Sequence, residues 1–153
     1  MVIGVAGVMF WEYHKQPEFC ATCHIMEPYL ETWEQPNYGA YAHAEYDVAC
    51  LDCHEPTLEQ QVHELVVFVT GDYQDPLPEM RYPKEDCYGC HMPESEHETY
   101  EQIVERTAGL WETIGANPHD SHYGDMECRL CHKMHRESED YCAQCHDFGF
   151  DVP

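Results

Sequence analysis

The sequence predicts a mainly α-helical and coil fold with little or no β-structure, in which short helices wrap a core that the polypeptide does not itself supply. Three observations predict it. All ten cysteines fall in five copies of Cys-x-x-Cys-His. Leu, Ile, Val and Phe are sparse for a chain of 153 residues, so a conventional core would be thin. The clear apolar periodicities are helical, and strand signals are weak.

The five motifs are Cys20-Ala-Thr-Cys23-His24, Cys50-Leu-Asp-Cys53-His54, Cys87-Tyr-Gly-Cys90-His91, Cys128-Arg-Leu-Cys131-His132 and Cys142-Ala-Gln-Cys145-His146. Each has the form of a covalent attachment site for a c-type haem. Two thiols add across the two vinyl groups of the porphyrin, and the adjoining histidine reaches the iron. Other uses of Cys-x-x-Cys fit less well. A disulfide framework does not require a histidine after every second cysteine. Structural zinc pairs its Cys-x-x-Cys units, and five is an odd number. The motifs therefore predict five haems c in one domain over residues 1–153, stacked closely and wrapped by short helices and loops. Covalent attachment outside the cytoplasm predicts an extracytoplasmic protein: periplasmic, on the outer face of a membrane, or extracellular.

In chain order, Met1 to Trp11 is an apolar run. It is shorter than the ~20 residues that span a bilayer, and it lacks the basic start of a signal peptide. It reads as an anchor remnant or a subunit-packing segment. Thr57-Leu-Glu-Gln60 is a capping box. It opens a helix with Leu58, Val62, Leu65, Val66 and Val69 at helical spacing, stopped by Gly71. Ser95-Glu-His-Glu98 is a second capping box, opening a helix with Tyr100, Ile103, Val104, Thr107, Trp111 and Ile114 on one stripe and ending at Gly115. Proline-containing loops near Asp75 to Pro83 and Asn117 to Gly124 separate the segments. The other helices are expected to be single turns that carry the motifs. The motif starts are 30, 37, 41 and 14 residues apart, so the last two sites are expected to lie close together.

His24, His54, His91, His132 and His146 are the expected proximal ligands. Seven of the twelve histidines remain: His14, His43, His63, His97, His119, His122 and His135. Five irons take at most five of them. A second imidazole saturates the iron and favours electron relay over catalysis. His63 lies on the first capped helix and His97 at the start of the second. His43 precedes Cys50 by seven residues. His119 and His122 are three apart, and at least one is expected at an iron. His135 follows His132 by three and is expected to reach a different haem, with the fifth as its candidate. His14 sits beside the apolar run and is open to a haem of this chain, a haem of a neighbouring subunit, or neither. Met26 and Met134 each stand two residues past a motif histidine, where packing is the usual role.

The net charge of −23 excludes nucleic acid, since nothing neutralises phosphate. It suits solubility and a basic redox partner. No catalytic triad, phosphate loop or nucleophile stands out. A haem-based reductase would need basic side chains around an anion, and the chain holds seven Lys and Arg residues.

The stretch from Glu18 to Pro28, around the first motif, resembles the first haem site of the NapC/NirT family. Ala42-His43 with Val48 to Pro56 resembles the second site of that family, and Lys84 to His91 the third. The resemblance covers about residues 2 to 92. It implies a membrane-anchored cytochrome that takes electrons from menaquinol and passes them to a redox protein. It implies Met26 as an alternative axial ligand of haem 1 in place of His24, and Asp72 or Asp75 as the acidic residue near that haem. The fifth motif and the strong acidity depart from the pattern and resemble instead the subunits of extracellular cytochrome filaments, where identical subunits pass electrons along a polymer.

Overall fold

The computed structural model describes residues 2–91 and 100–152. Among them the chain is helix and coil, without strands. It divides into two compact units: Met1–Met80 with Met134–Glu137, and Arg81–Lys133 with Ser138–Pro153.

In the first unit, α1 (Val2–His14) carries the apolar run. Its last turn packs Phe10, Tyr13 and His14 around Phe19, with ring centroids 5.2–5.9 Å apart. The short α2 (Pro17–Cys20) starts on a proline, whose missing N–H costs nothing at a helix start. A tight turn, His24–Met26, leads into α3 (Glu27–Glu34), and α4 (Gly39–Ala44) packs against α3. Trp33 on α3 donates its indole N–H to the Val48 carbonyl at 3.1 Å.

After α5 (Cys50–Cys53) comes α6 (Leu58–Thr70), which follows the sequence reading closely. Thr57 and Gln60 make the reciprocal capping bonds. Gly71 ends the helix at φ 72°, a conformation that costs glycine little. The 100° step of a helix sorts its side chains into faces. Gln61 and Phe68 lie on the inner one, with the exposed Glu64 beside them. Gln61 bonds His14, Phe68 lies 5.6 Å from the His24 ring, and Glu64 acts electrostatically on Cys20 and His54. Leu58, Val62, Leu65, Val66 and Val69 lie about a third of a turn away and are exposed.

In the second unit, α7 (Lys84–His91) contains the third motif. The second capping box lies outside the described residues. The stripe expected to form one helix to Gly115 is broken into α8 (Tyr100–Arg106) and α9 (Leu110–Ile114). At the break the backbone switches to tighter bonds: Ala108 to Glu105, Leu110 to Thr107 and Trp111 to Ala108. The Thr107 hydroxyl lies near both the Ile103 carbonyl (2.8 Å) and the Asn117 side-chain carbonyl (3.1 Å). A threonine that bonds this way competes with the helix ladder.

Very little is buried. Among the described residues Ala40 and Pro17 are buried apolar side chains, Thr32 and Asn117 are the buried polar ones, and no large side chain is fully enclosed. Local hydrogen bonds, more than an aliphatic core, hold these segments.

Candidate haem sites

The motif histidines are placed by one recurring bond. The N–H of His54 donates to the Cys50 carbonyl at 2.8 Å, that of His132 to Cys128 at 2.9 Å, and that of His146 to Cys142 at 2.9 Å. Each bond closes one helical turn, so the first cysteine and the histidine face the same side. Nearby side chains support these turns. Asp52 accepts the Ala49 N–H at 2.8 Å. Asp140 accepts the N–H groups of Cys142, Ala143 and Phe150 at 2.9–3.2 Å. No two of the ten cysteines form a disulfide. Among the described residues no group of three or more His, Cys, Asp or Glu makes a cage for a bare metal ion. The donor set is one of thiol pairs and imidazoles, as covalent haem requires.

Within each unit the motifs meet. The thiols of Cys20 and Cys50 hydrogen-bond each other, which brings Cys20 down to about 7 and pushes Cys50 up. Cys87 and Cys128 do the same, with Cys87 at about 7 and Cys128 pushed up. The first and second motifs are thus neighbours in the first unit, and the third and fourth in the second. Lys84 of α7 pairs with Asp125, just before the fourth motif, and Tyr88 also reaches Asp125. Burial, then Asp140 and Cys131, pushes up the Cys142 thiol, so the fourth and fifth motifs are close as well.

Three of the spare histidines stand opposite motif histidines. His135 faces His54 with ring centroids 6.2 Å apart and planes 28° apart. His119 faces His132 at 6.3 Å and 10°. His122 faces His146 at 5.9 Å and 65°. Metal–nitrogen bonds of about 2 Å on opposite sides of one metal put two imidazole centroids about 6 Å apart, so the three pairs have the span that an iron between them needs. Burial lowers the pKa of His54, His119 and His135, and for the last two the facing histidine lowers it further. Neutral imidazole is the form that binds metal. His119 Nδ1 is buried without a hydrogen-bond partner, as expected of a nitrogen set aside for another role. The residues fit haem.

His135 and His119 are held in place by residues that carry no sequence signal. His135 arrives on Met134–Glu137, a segment from far along the chain that completes the first unit. There Ala40 donates its N–H to the Met134 carbonyl at 3.0 Å, Thr32 bonds His135 Nδ1 at 2.7 Å, and Arg136 pairs with Glu79. The expectation that His135 serves the fifth site is corrected: its ring lies against His54, because these anchors on α3, on α4 and at Glu79 hold the segment in the first unit. In the second unit, the Asn117 side chain accepts the His119 N–H and donates to the Val104 carbonyl, both at 3.1 Å. The Tyr100 hydroxyl accepts the Ser121 N–H and steadies the same loop.

The other candidates are placed as follows. His14 bonds Gln61 through Nε2 at 3.1 Å, its Nδ1 is buried without a partner, and its ring stacks on Trp11. It shares a cavity of about 260 Å³ with Trp11, Leu51, His54, Pro56 and Gln61. His43 donates from Nδ1 to the Gly39 carbonyl at 2.7 Å, a bond that leaves the Nε2 lone pair free to bind a metal. His63 is exposed on α6, His91 ends α7, and Met26 closes the turn after His24. Arg106 donates to the His91 carbonyl. His97 lies outside the described residues.

A family model described as cytochrome c3 matches residues 42–147. One described as the N-terminal region of the NapC/NirT cytochrome c family matches residues 1–73. The chain is 36% identical to the cytochrome c-type protein Cgr1 of Eggerthella lenta, over 95% of this chain and 78% of that protein. It is 24% identical to the cytochrome c-type protein NrfB of Escherichia coli, over 65% of each. It is 28% identical to the cytochrome c-type protein NrfH of Wolinella succinogenes, over 49% of this chain and 47% of that one. No solved structure matches.

Proposed function

The chain belongs to the multihaem c-type cytochromes, with cytochrome c3 and NapC/NirT relatives, and it transfers electrons through covalently bound haem c; on that basis we propose that it carries five haems and relays electrons from a quinol pool to a redox partner. The ten motif cysteines hold the porphyrins. His24, His54, His91, His132 and His146 are the proximal ligands. His135 is the second ligand at the second site, His119 at the fourth and His122 at the fifth. The observation that carries this assignment is the set of three imidazole pairs with centroids 5.9–6.3 Å apart. Met26 stays the candidate beside His24, and His43, with its Nδ1 already engaged, is the best prepared of the remaining imidazoles. His97, His63 and His14 complete the candidate set. Haem, when bound, supplies an iron that alternates between ferric and ferrous. At the second, fourth and fifth sites a facing pair of imidazoles would hold it, which would favour relay over substrate chemistry there.

Proteins of these cytochrome families are typically extracytoplasmic, and this chain is placed with them. Among the described residues no helix is long and apolar enough to cross a membrane. We place α1 at the membrane-facing end, in line with the NapC/NirT match over residues 1–73. The acidic surface points to a basic electron acceptor. Intact mass spectrometry tests the haem count: the 17.9 kDa chain should be heavier by five haems, and a smaller increment removes that claim. Adding a menaquinol analogue to the oxidised protein tests the donor. Rapid reduction of the haem bands supports the quinol relay. No reduction, with long regular fibres in negative stain, supports a filament of identical subunits instead.

A further inference from the structure

We infer that Thr32 is a positioning residue for the second haem: its hydroxyl selects the His135 tautomer that keeps the Nε2 lone pair for iron. The inference rests on the reading of His54 and His135 as one axial pair. Thr32 lies on α3 and is 9% exposed. Its Oγ1 is 2.8 Å from the Tyr29 carbonyl oxygen and 2.7 Å from His135 Nδ1. A hydroxyl has one proton to give. The carbonyl has none, so the threonine proton goes to Tyr29, and the bond to His135 takes its proton from Nδ1. The reverse arrangement would press two oxygen lone pairs together at 2.8 Å in a buried place. A neutral imidazole protonated at Nδ1 carries its lone pair on Nε2.

The ring is held on other sides too. Tyr29 meets it edge-on at 5.2 Å and 86°. The residue before it is tied down by the Ala40 to Met134 backbone bond, and the residue after it by the Arg136–Glu79 pair. Thr32 is the group that touches a ring nitrogen, and so the one that decides which nitrogen is free. An Nδ1–H engaged in this way makes the opposite nitrogen more basic, which strengthens its bond to ferric iron and lowers the reduction potential.

The test uses the full haem-loaded protein and three variants, Thr32→Val, Thr32→Ser and His135→Ala. Three quantities are read: the low-temperature EPR spectrum, a reductive titration, and carbon monoxide uptake by the ferrous protein. His135→Ala should turn one haem high-spin and open it to carbon monoxide. Thr32→Val should keep its haems, but one of them should titrate at a higher potential and take up carbon monoxide about 10–100-fold more readily. Thr32→Ser, which retains the hydroxyl, should match the parent protein. Should the valine variant lose haem, Thr32→Ala removes the same hydroxyl without adding a group. A hydroxyl-free variant identical to the parent, alongside a high-spin His135→Ala, overturns the role of Thr32 and leaves the pairing intact. His135→Ala with no new high-spin haem overturns the pairing itself.

Discussion

The first unit brings in His135, which faces His54, from far along the chain, whereas the second places His119 opposite His132 from local sequence. His135 is 103 residues from Thr32, its hydrogen-bond partner, and three separate anchors hold its segment: a backbone bond to Ala40, the Thr32 hydroxyl and the Arg136–Glu79 pair. His119 is bonded by Asn117, two residues before it, whose amide ties its own loop to the end of α8 and to Thr107, and Tyr100 steadies the same loop. A long connection costs closure entropy before any contact rewards it. Several weak anchors then have to act together. A short one can rely on fewer. In both units, however, a buried polar side chain bonds the facing histidine, and these two are the buried polar residues among those described.

Removing the ligands has the largest effect. His119→Ala and His135→Ala should each convert one low-spin haem to high spin, and the double variant two, as read by visible absorption and EPR. Equal effects would show that local and distant delivery end in the same coordination.

Next is Asn117→Ala. It strands the His119 N–H and removes the amide bond to the Val104 carbonyl, while the Thr107 hydroxyl keeps the Ile103 carbonyl, and it should cost about 1–3 kcal/mol. Urea unfolding followed at the Soret band should shift accordingly. A shift below about 0.5 kcal/mol would mean that the local loop does not depend on one side chain.

Gly71→Ala is a control in the first unit, away from the Met134–Glu137 anchors. A Cβ there meets nothing within 4 Å, so only the left-handed φ of 72° opposes it. The expected cost is about 1 kcal/mol in urea unfolding, with haem spectra unchanged.

The smallest effect belongs to Arg136→Ala. That ion pair is more than half exposed on both sides, so its loss should cost under about 1 kcal/mol and fade further in high salt. The second haem should stay low-spin, because Thr32 and Ala40 still hold the segment. A high-spin haem in this variant would show that the ion pair counts for more than the buried contacts.

Much of this was legible in the chain itself. The motifs state the chemistry, because cysteine and histidine must sit at fixed offsets to meet one porphyrin. The α6 helix was readable from Thr57 to Gly71, since its cap and stop are both local. The break after Arg106 was not, because it depends on a hydroxyl of Thr107 meeting Asn117 ten residues on. Nor was the partner of His135. Spacing placed it near the fourth and fifth motifs, whereas the chain turns back and delivers it to His54. Thr32 gave no signal at all, since a threonine in the middle of a short helix is unremarkable until a distant segment docks on it.

The account is tested most directly by low-temperature EPR of the fully oxidised protein with its haems attached. Two of the imidazole pairs are near parallel, at 10° and 28°, and the third is twisted to 65°. Parallel axial imidazoles give rhombic low-spin signals, and strongly twisted ones give a highly anisotropic low-spin signal. The prediction is both types together, with the twisted signal lost in His122→Ala and a rhombic one lost in each of His119→Ala and His135→Ala. A spectrum dominated by high-spin iron, or one that none of the three substitutions alters, would contradict it.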